Sequence, residues 1–280
     1  MDNKIVTELE ERLPEIARGI IQNNDRLPDE YRQRFYHNPD SVDEHEPNWH
    51  QWGIITHSRK FREMYDGEVS GYLKSWELEQ RVGEYLQREI DGVPKSELIR
   101  VSMPLHDLGK FRKGLKEKDG KTKFDFDNHE KISQEIILSQ EFREMLRDYG
   151  LSNPQIEYVA KCAGNHYELG FVRDRAKKSD LGYTIRFVES PNFSEAVKEQ
   201  LSRFDGFEVE VGLLFLADSL AKTDVIIPAE SDAQIEQYSP RAEQEIKQRG
   251  LNPKLINAVK QRPVNIAVVK EYLSMVLGDF

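Results

Sequence analysis

The chain has 280 residues, 38% of them hydrophobic, 10% aromatic and 32% charged, with a formal net charge of −10. Its 13 Phe, 11 Tyr and 3 Trp supply the bulky apolar area that disordered chains lack, and no run approaches the roughly 18 consecutive apolar residues of a membrane span. The single cysteine, Cys162, excludes an intramolecular disulfide and a Cys-rich zinc site, and the early charges of MDNKIVTELEERL do not fit a signal or transit peptide, so a cytoplasmic protein is expected.

Helical periodicity dominates. Ile5, Val6, Leu9, Leu13, Ile16, Ile20 and Ile21 make a stripe over about 4–22 that Pro14 interrupts. The polar, proline-containing stretch that follows, to His50, reads as a long irregular or partly helical arm. Helices are expected over 54–65 and 71–90. Pro94-Lys95-Ser96-Glu97 opens another, which passes Ile99, Val101 and Leu105 and stops near Gly109, with Pro104 kinking it. Lys116 to Phe126 is a strand candidate: Asp119-Gly120 is a hairpin signal, and Thr122, Phe124 and Phe126 alternate after it. Further helices are expected at about 129–148, 153–164, 192–203, 207–223, 234–249, 252–260 and 264–277. A long loop is expected over 165–191, with weak strand character around Tyr183–Val188. The reading is all-α with one small hairpin near 116–126: an N-terminal helical extension (1–50), a central domain (51–228) and a C-terminal helical extension (229–280).

Charge is unevenly spread. Lys110 to Lys123 holds seven Lys/Arg against two Asp/Glu, a net of +5, and Arg173 to Lys178 nets +3. Of the seven histidines, His57, His106, His129 and His166 keep unusual company, and Asp218 lies in the apolar run VGLLFLADSLAKTD. A lone carboxylate there costs several kcal/mol unless a cation or donor faces it. Taken singly, each has an ordinary explanation: an Asp salt-bridged at a helix edge, a core histidine beside Asp107, a capping His129, a His166 favoured by a helix C-terminus.

Taken in order they read H, HD, H, H, D, at His57, His106-Asp107, His129, His166 and Asp218. This order, with HDLGK, HEKISQEII and LLFLADSLAKTD around it, resembles the HD-domain superfamily of metal-dependent phosphohydrolases, over roughly residues 50–225. The resemblance implies an HD-domain helical bundle. It also implies one or two divalent transition ions (Fe, Mn, Ni, Co or Zn), which suit imidazole and carboxylate donors. His57, His106, Asp107 and Asp218 would hold one ion; Asp107 would bridge to a second, held by His129 and His166. Asp107 and Lys110 would then be catalytic. Lys110, Arg112, Lys113, Arg173 and Arg175 would bind the substrate as a basic funnel over the site.

The implied function is hydrolysis of a phosphomonoester or phosphodiester, on an anionic phosphorylated small molecule or nucleotide. Departures from the family narrow the choice. No GYP triplet occurs and NHYELGFVRD stands where a second HHE is found in cyclic-dinucleotide phosphodiesterases; there is no P-loop. A diiron oxygenase of the inositol-oxygenase-like branch, a stand-alone nuclease acting on nucleic acid, and a non-catalytic regulatory module are the competing readings. His37, His45 and His50 match no family ligand and are read as ordinary residues of the arm, with a lid role as the alternative.

Overall fold

The computed structural model describes residues 4–118, 121–176, 184–204 and 206–278. The fold is all-α. Its helices are α1 (Lys4–Gln22), α2 (Asp29–His37), α3 (Ile54–Met64), α4 (Ser70–Ser75), α5 (Glu79–Leu86), α6 (Lys95–Ser102), α7 (His129–Leu138), α8 (Gln140–Asp148), α9 (Asn153–Asn165), α10 (Glu168–Ala176), α11 (Pro191–Phe204), α12 (Glu208–Ala221), α13 (Asp232–Gln248) and α14 (Ile256–Gly278). Two antiparallel hairpins join them: β1 (Glu89–Ile90) with β2 (Val93–Pro94), and β3 (Gly114–Lys118) with β4 (Lys121–Asp125). The turn Asp119-Gly120 lies outside the described residues. None of the described helices is long and apolar enough to cross a membrane.

Several boundaries differ from the sequence reading, each for a local reason. Helix α1 runs through Pro14 without a break. Proline lacks the N–H that would bond the Glu10 carbonyl, and Arg59 Nη2 donates to that carbonyl instead, at 3.3 Å. The stretch 71–90 is two helices and a strand. Glu77 takes a left-handed conformation (φ 61°), with Leu78 N–H bonded to Leu73 O and Glu77 N–H to Lys74 O, a Schellman stop. Hairpin β1–β2 turns at Asp91-Gly92, both at positive φ, the same Asp-Gly signal that marks the second hairpin. Ser139 ends α7 and caps α8, its hydroxyl accepting from Phe142 N–H. The expected loop after residue 165 contains α10, and Arg186–Glu189 is a 3-10 turn rather than a strand. The helical spacing of buried Leu169, Val172 and Arg173 explains α10. Last, α14 continues through Pro263, where Val259, Val264, Val268 and Val269 are all buried.

Contacts divide the chain into two units, each made of alternating segments. The first comprises Met1–His45, Trp52–Arg62 and Leu86–Asn165; the second comprises Glu46–Gln51, Glu63–Tyr85 and His166–Phe280. In the first unit, α1 is tied to α3 by Arg62 Nε to Glu10 Oε1 at 2.6 Å. Helices α7 and α9 pack closely: a Cβ on Gly164 would fall 2.2 Å from Gln134 Oε1.

In the second unit, every residue of α12 after Glu208 is buried. Its last carbonyls are satisfied from other segments. Arg262 Nη1 donates to Leu220 O and Thr223 O, both at 3.2 Å, and Gln51 N–H donates to Lys222 O at 2.8 Å. Val225, Ile227, Ile246, Leu255 and Val259 form a side cluster in this unit, with Trp49 packed against it.

Candidate metal centre

Three segments of the first unit bring imidazoles to one carboxylate. Helix α3 delivers His57. Its start is held by Asp40, whose Oδ1 accepts from Thr56 N–H at 2.8 Å and whose Oδ2 accepts from Thr56 Oγ1 at 2.6 Å. Gly53 is needed there, because a Cβ would lie 1.9 Å from the Asp40 carbonyl.

His106 and Asp107 sit just past α6, where Pro104 dictates the geometry. An α-helix needs residue 104 to donate to Arg100 O, which proline cannot do. Met103 N–H takes that carbonyl instead, and the chain tightens into a 3-10 turn over Met103–Leu105. The Met103 carbonyl then accepts from His106 Nδ1 at 2.7 Å.

Gly109 brings the next ligand close. A Cβ on it would fall 2.0 Å from the His129 carbonyl, so only glycine lets the Leu108–Arg112 turn lie against the start of α7. Gly109 N–H donates to Ser133 Oγ at 2.8 Å, and Ser133 Oγ donates to His129 O at 2.9 Å. Ser133 thereby fixes both sides of this contact.

The result centres on Asp107. His106 Nε2 lies 3.3 Å and His57 Nε2 3.8 Å from Asp107 Oδ2; His129 Nε2 lies 3.3 Å from Oδ1. A ligand nitrogen of His57, one of His106 and an oxygen of Asp107 all lie within 4.8 Å of one another, and all three residues are buried. Burial pushes the Asp107 carboxyl up, but His106 and Lys110 outweigh that and hold it well below the usual carboxylate range. It is an anion at neutral pH.

The histidine tautomers follow from their second nitrogens. His106 Nδ1 faces the Met103 carbonyl and His129 Nδ1 the Phe126 carbonyl, at 3.0 Å. A carbonyl only accepts, so both Nδ1 atoms carry protons and, in the neutral ring, both Nε2 atoms present lone pairs. A lone pair aimed at a carboxylate oxygen 3.3 Å away requires a proton or a cation between them. Imidazoles oriented by backbone carbonyls around an anionic carboxylate are the donor set of a borderline divalent transition metal. The residues present fit such an ion.

A buried cation borders the same carboxylate. Lys110 Nζ lies 2.8 Å from Asp107 Oδ2 and 2.9 Å from His45 Nε2, and the residue is only 4% exposed. His45, read from sequence as an ordinary residue of a polar arm, is fully buried, with its ring 5.4 Å from that of His57. Burial, followed by the charges of Lys110 and His57, lowers its pKa well below the usual histidine value. Its neighbour Glu44 holds Lys113: Nζ lies 2.9 Å from Glu44 Oε2 and 2.5 Å from its carbonyl.

That contact corrects the basic-funnel expectation. Lys113 is 1% exposed and sits over the rings of Phe35 and Phe124, at 3.8 and 3.6 Å. Burial pulls its pKa down to about 8, against the opposing pull of Glu44. A lysine sealed under two aromatic rings with its own carboxylate does not face an incoming substrate. Arg112 is exposed. Lys116 bridges Asp125 and Asp127, at 3.0 and 2.8 Å.

The second unit carries the other two motif residues. His166 follows α9 directly and is buried. Asp218 is buried on α12, with Oδ2 3.2 Å from Lys222 Nζ one helical turn on. Burial pulls the Lys222 amine down, but Asp218 and Tyr167 overcome it and its pKa is raised. A ligand nitrogen of His50 lies within 4.8 Å of an Asp218 oxygen. Arg173, expected on a surface loop, is 2% exposed: Nη1 donates to Asn265 Oδ1 at 2.7 Å and Nη2 to Tyr167 OH at 3.2 Å. The bond to Asn265 joins α10 to α14. The Arg175 side chain, Lys177 and Lys178 lie outside the described residues.

Sequence reasoning missed Asp40, Glu44, His45, His50, Ser133 and Lys222. Lys222 had a signal, since it stands four residues after Asp218 on one helix face. Ser133 had another, four residues after His129. The contacts of Asp40, Glu44 and His45 are long-range in sequence and left none.

No curated protein matches the chain. The family model of the HD domain matches residues 77–223, a span that includes His106, Asp107, His129, His166 and Asp218 and leaves His57 upstream. That span is just over half of the chain, and the protein belongs to the HD-domain family, whose members are mostly metal-dependent hydrolases.

Proposed function

We propose that the protein is a metal-dependent phosphohydrolase that cleaves a phosphomonoester or phosphodiester, nucleotide-like or otherwise. The observation that carries this reading is the buried Lys110 ammonium, 2.8 Å from Asp107 Oδ2. A fixed cation beside the central carboxylate suits an anionic substrate and has no evident use toward a neutral one.

In this reading His57, His106, Asp107 and Asp218 would hold one divalent ion, and Asp107, His129 and His166 would hold a second. The support is the order of these residues along the chain together with the donor chemistry around Asp107. When bound, such ions supply Lewis acidity and make water acidic enough to ionise near neutral pH. The protein's own contributions are separate. Met103 and Phe126 carbonyls keep the Nε2 lone pairs of His106 and His129 turned to Asp107. Lys110 keeps Asp107 anionic and donates to a phosphoryl oxygen; with no lone pair, an ammonium is not a ligand. Exposed Arg112 supplies further positive charge, while Lys113 and Arg173 are committed elsewhere.

The test is a screen of phosphate esters with anaerobically purified protein loaded with Mn²⁺, Ni²⁺ or Fe²⁺. Release of phosphate or of a nucleoside is expected. Oxygen consumption with a polyol or phosphonate, without phosphate release, would replace this reading with the oxygenase.

A further inference from the structure

We propose that His45 is a positioning residue that aims the Lys110 ammonium at an anionic oxygen of the substrate. The proposal rests on the hydrolase reading only in taking that oxygen to be a phosphoryl oxygen.

Two hydrogen-bond partners of His45 leave one arrangement of its protons. Nδ1 lies 2.8 Å from the Trp52 carbonyl, which can only accept, so Nδ1 carries a proton. Nε2 lies 2.9 Å from Lys110 Nζ, which can only donate, so Nε2 carries the lone pair. Both neighbours demand the same neutral tautomer.

The ring is also held in place. It is fully buried against His57, and the adjoining Glu44 is clamped to Lys113 through both its carbonyl and its carboxylate. Consecutive residues Glu44 and His45 thus grip Lys113 and Lys110, three apart in HDLGKFRK. An ammonium has three donors. Asp107 takes one and His45 a second. The two bonds define the direction of the third donor, which is left for a substrate oxygen. Without His45 the Lys110 side chain keeps one anchor and rotates about it. The lone pair of His45 is spent on this bond, which separates its role from that of a general base.

The test uses the full chain, loaded with Zn²⁺ and labelled with ¹⁵N-lysine, and follows the ammonium ¹H–¹⁵N signals. The Lys110 signal is identified by its loss in Lys110→Arg. His45→Phe is expected to shift or broaden it and to leave the Lys113 signal in place. His45→Gln, with an amide oxygen at the acceptor position, is expected to restore it. Inorganic phosphate should move the Lys110 signal, and His45→Phe should weaken phosphate binding about tenfold, the value of one charged hydrogen bond. With a turned-over ester, KM should rise more than kcat falls. A Lys110 signal or a phosphate affinity unchanged in His45→Phe overturns the proposal. Should that variant not fold, His45→Gln decides: loss of the Lys110 signal or of phosphate binding there overturns it. A Lys110 signal that follows His45, in a protein releasing phosphate from no ester, supports the positioning role and contradicts the hydrolase reading.

Discussion

The two aspartates of the motif set are built into their surroundings on different plans. Asp218 lies on a regular helix, and its lysine, Lys222, is one turn away on the same face. Asp107 lies between two 3-10 turns, Met103–Leu105 and Leu108–Arg112, and the groups around it come from α3, α7 and the arm before Trp52 as well as from its own neighbours. The first is a local pair that any amphipathic helix can make. The second exists only once the first unit has folded, and it depends on Pro104, Gly109 and Asp40 to bring its parts together. Loss of Asp218 should therefore act on stability as well as on metal and chemistry, and loss of Asp107 mainly on metal and chemistry.

The largest effect is expected for Asp107→Ala. Turnover should fall to background and metal content with it, measured by elemental analysis of the purified variant. Stability should suffer less, because Lys110 retains His45. Asp218→Ala should lose activity too, but it leaves Lys222 buried without its carboxylate. An uncompensated buried charge costs about 3–5 kcal/mol, so a clear drop in Tm is expected. Adding Lys222→Met should recover most of that stability and none of the activity. Equal Tm values for the two single variants would erase the contrast.

Gly109→Ala probes the assembled site without touching a ligand. The new methyl meets the His129 carbonyl, so the turn and α7 must separate, at a cost of about 1–3 kcal/mol for overpacking. Metal affinity should fall in proportion to the displacement of His129, and a titration with Mn²⁺ checks it.

The smallest effect concerns Lys113 and appears as a pH slope. Its folded pKa is about 8, below the ordinary 10.5. Between those values the unfolded chain binds the proton more strongly, so this group's contribution makes stability rise with pH from about 8 to 10.5. Lys113→Met should remove that component of the slope, read from Tm against pH in the two proteins.

Much of this was legible in the sequence. Apolar periodicity located most helices, and the Asp-Gly signal placed the second hairpin, although the same signal at Asp91-Gly92 was passed over. The ligand order H, HD, H, H, D led to the family before any geometry was known. Charge arithmetic misled where it was read as surface. The +5 segment includes Lys110 and Lys113, both buried against carboxylates, and Arg173 of the +3 segment is sealed behind Asn265 and Tyr167. Net charge along a segment says nothing of which cations turn inward, since that depends on carboxylates and carbonyls far away in sequence. The interruption expected at Pro14 and the gap expected between 260 and 264 failed for a related reason: a tertiary donor holds the first helix together and buried packing the second.

The central claim is that imidazoles and the Asp107 carboxylate hold a transition metal, and X-ray absorption spectroscopy of metal-loaded protein tests it most directly. The expected spectrum has only nitrogen and oxygen neighbours, with the outer-shell scattering of coordinated imidazole, and Asp107→Ala changes or abolishes it. A metal spectrum without imidazole scattering, or one identical in wild type and Asp107→Ala, would contradict the account.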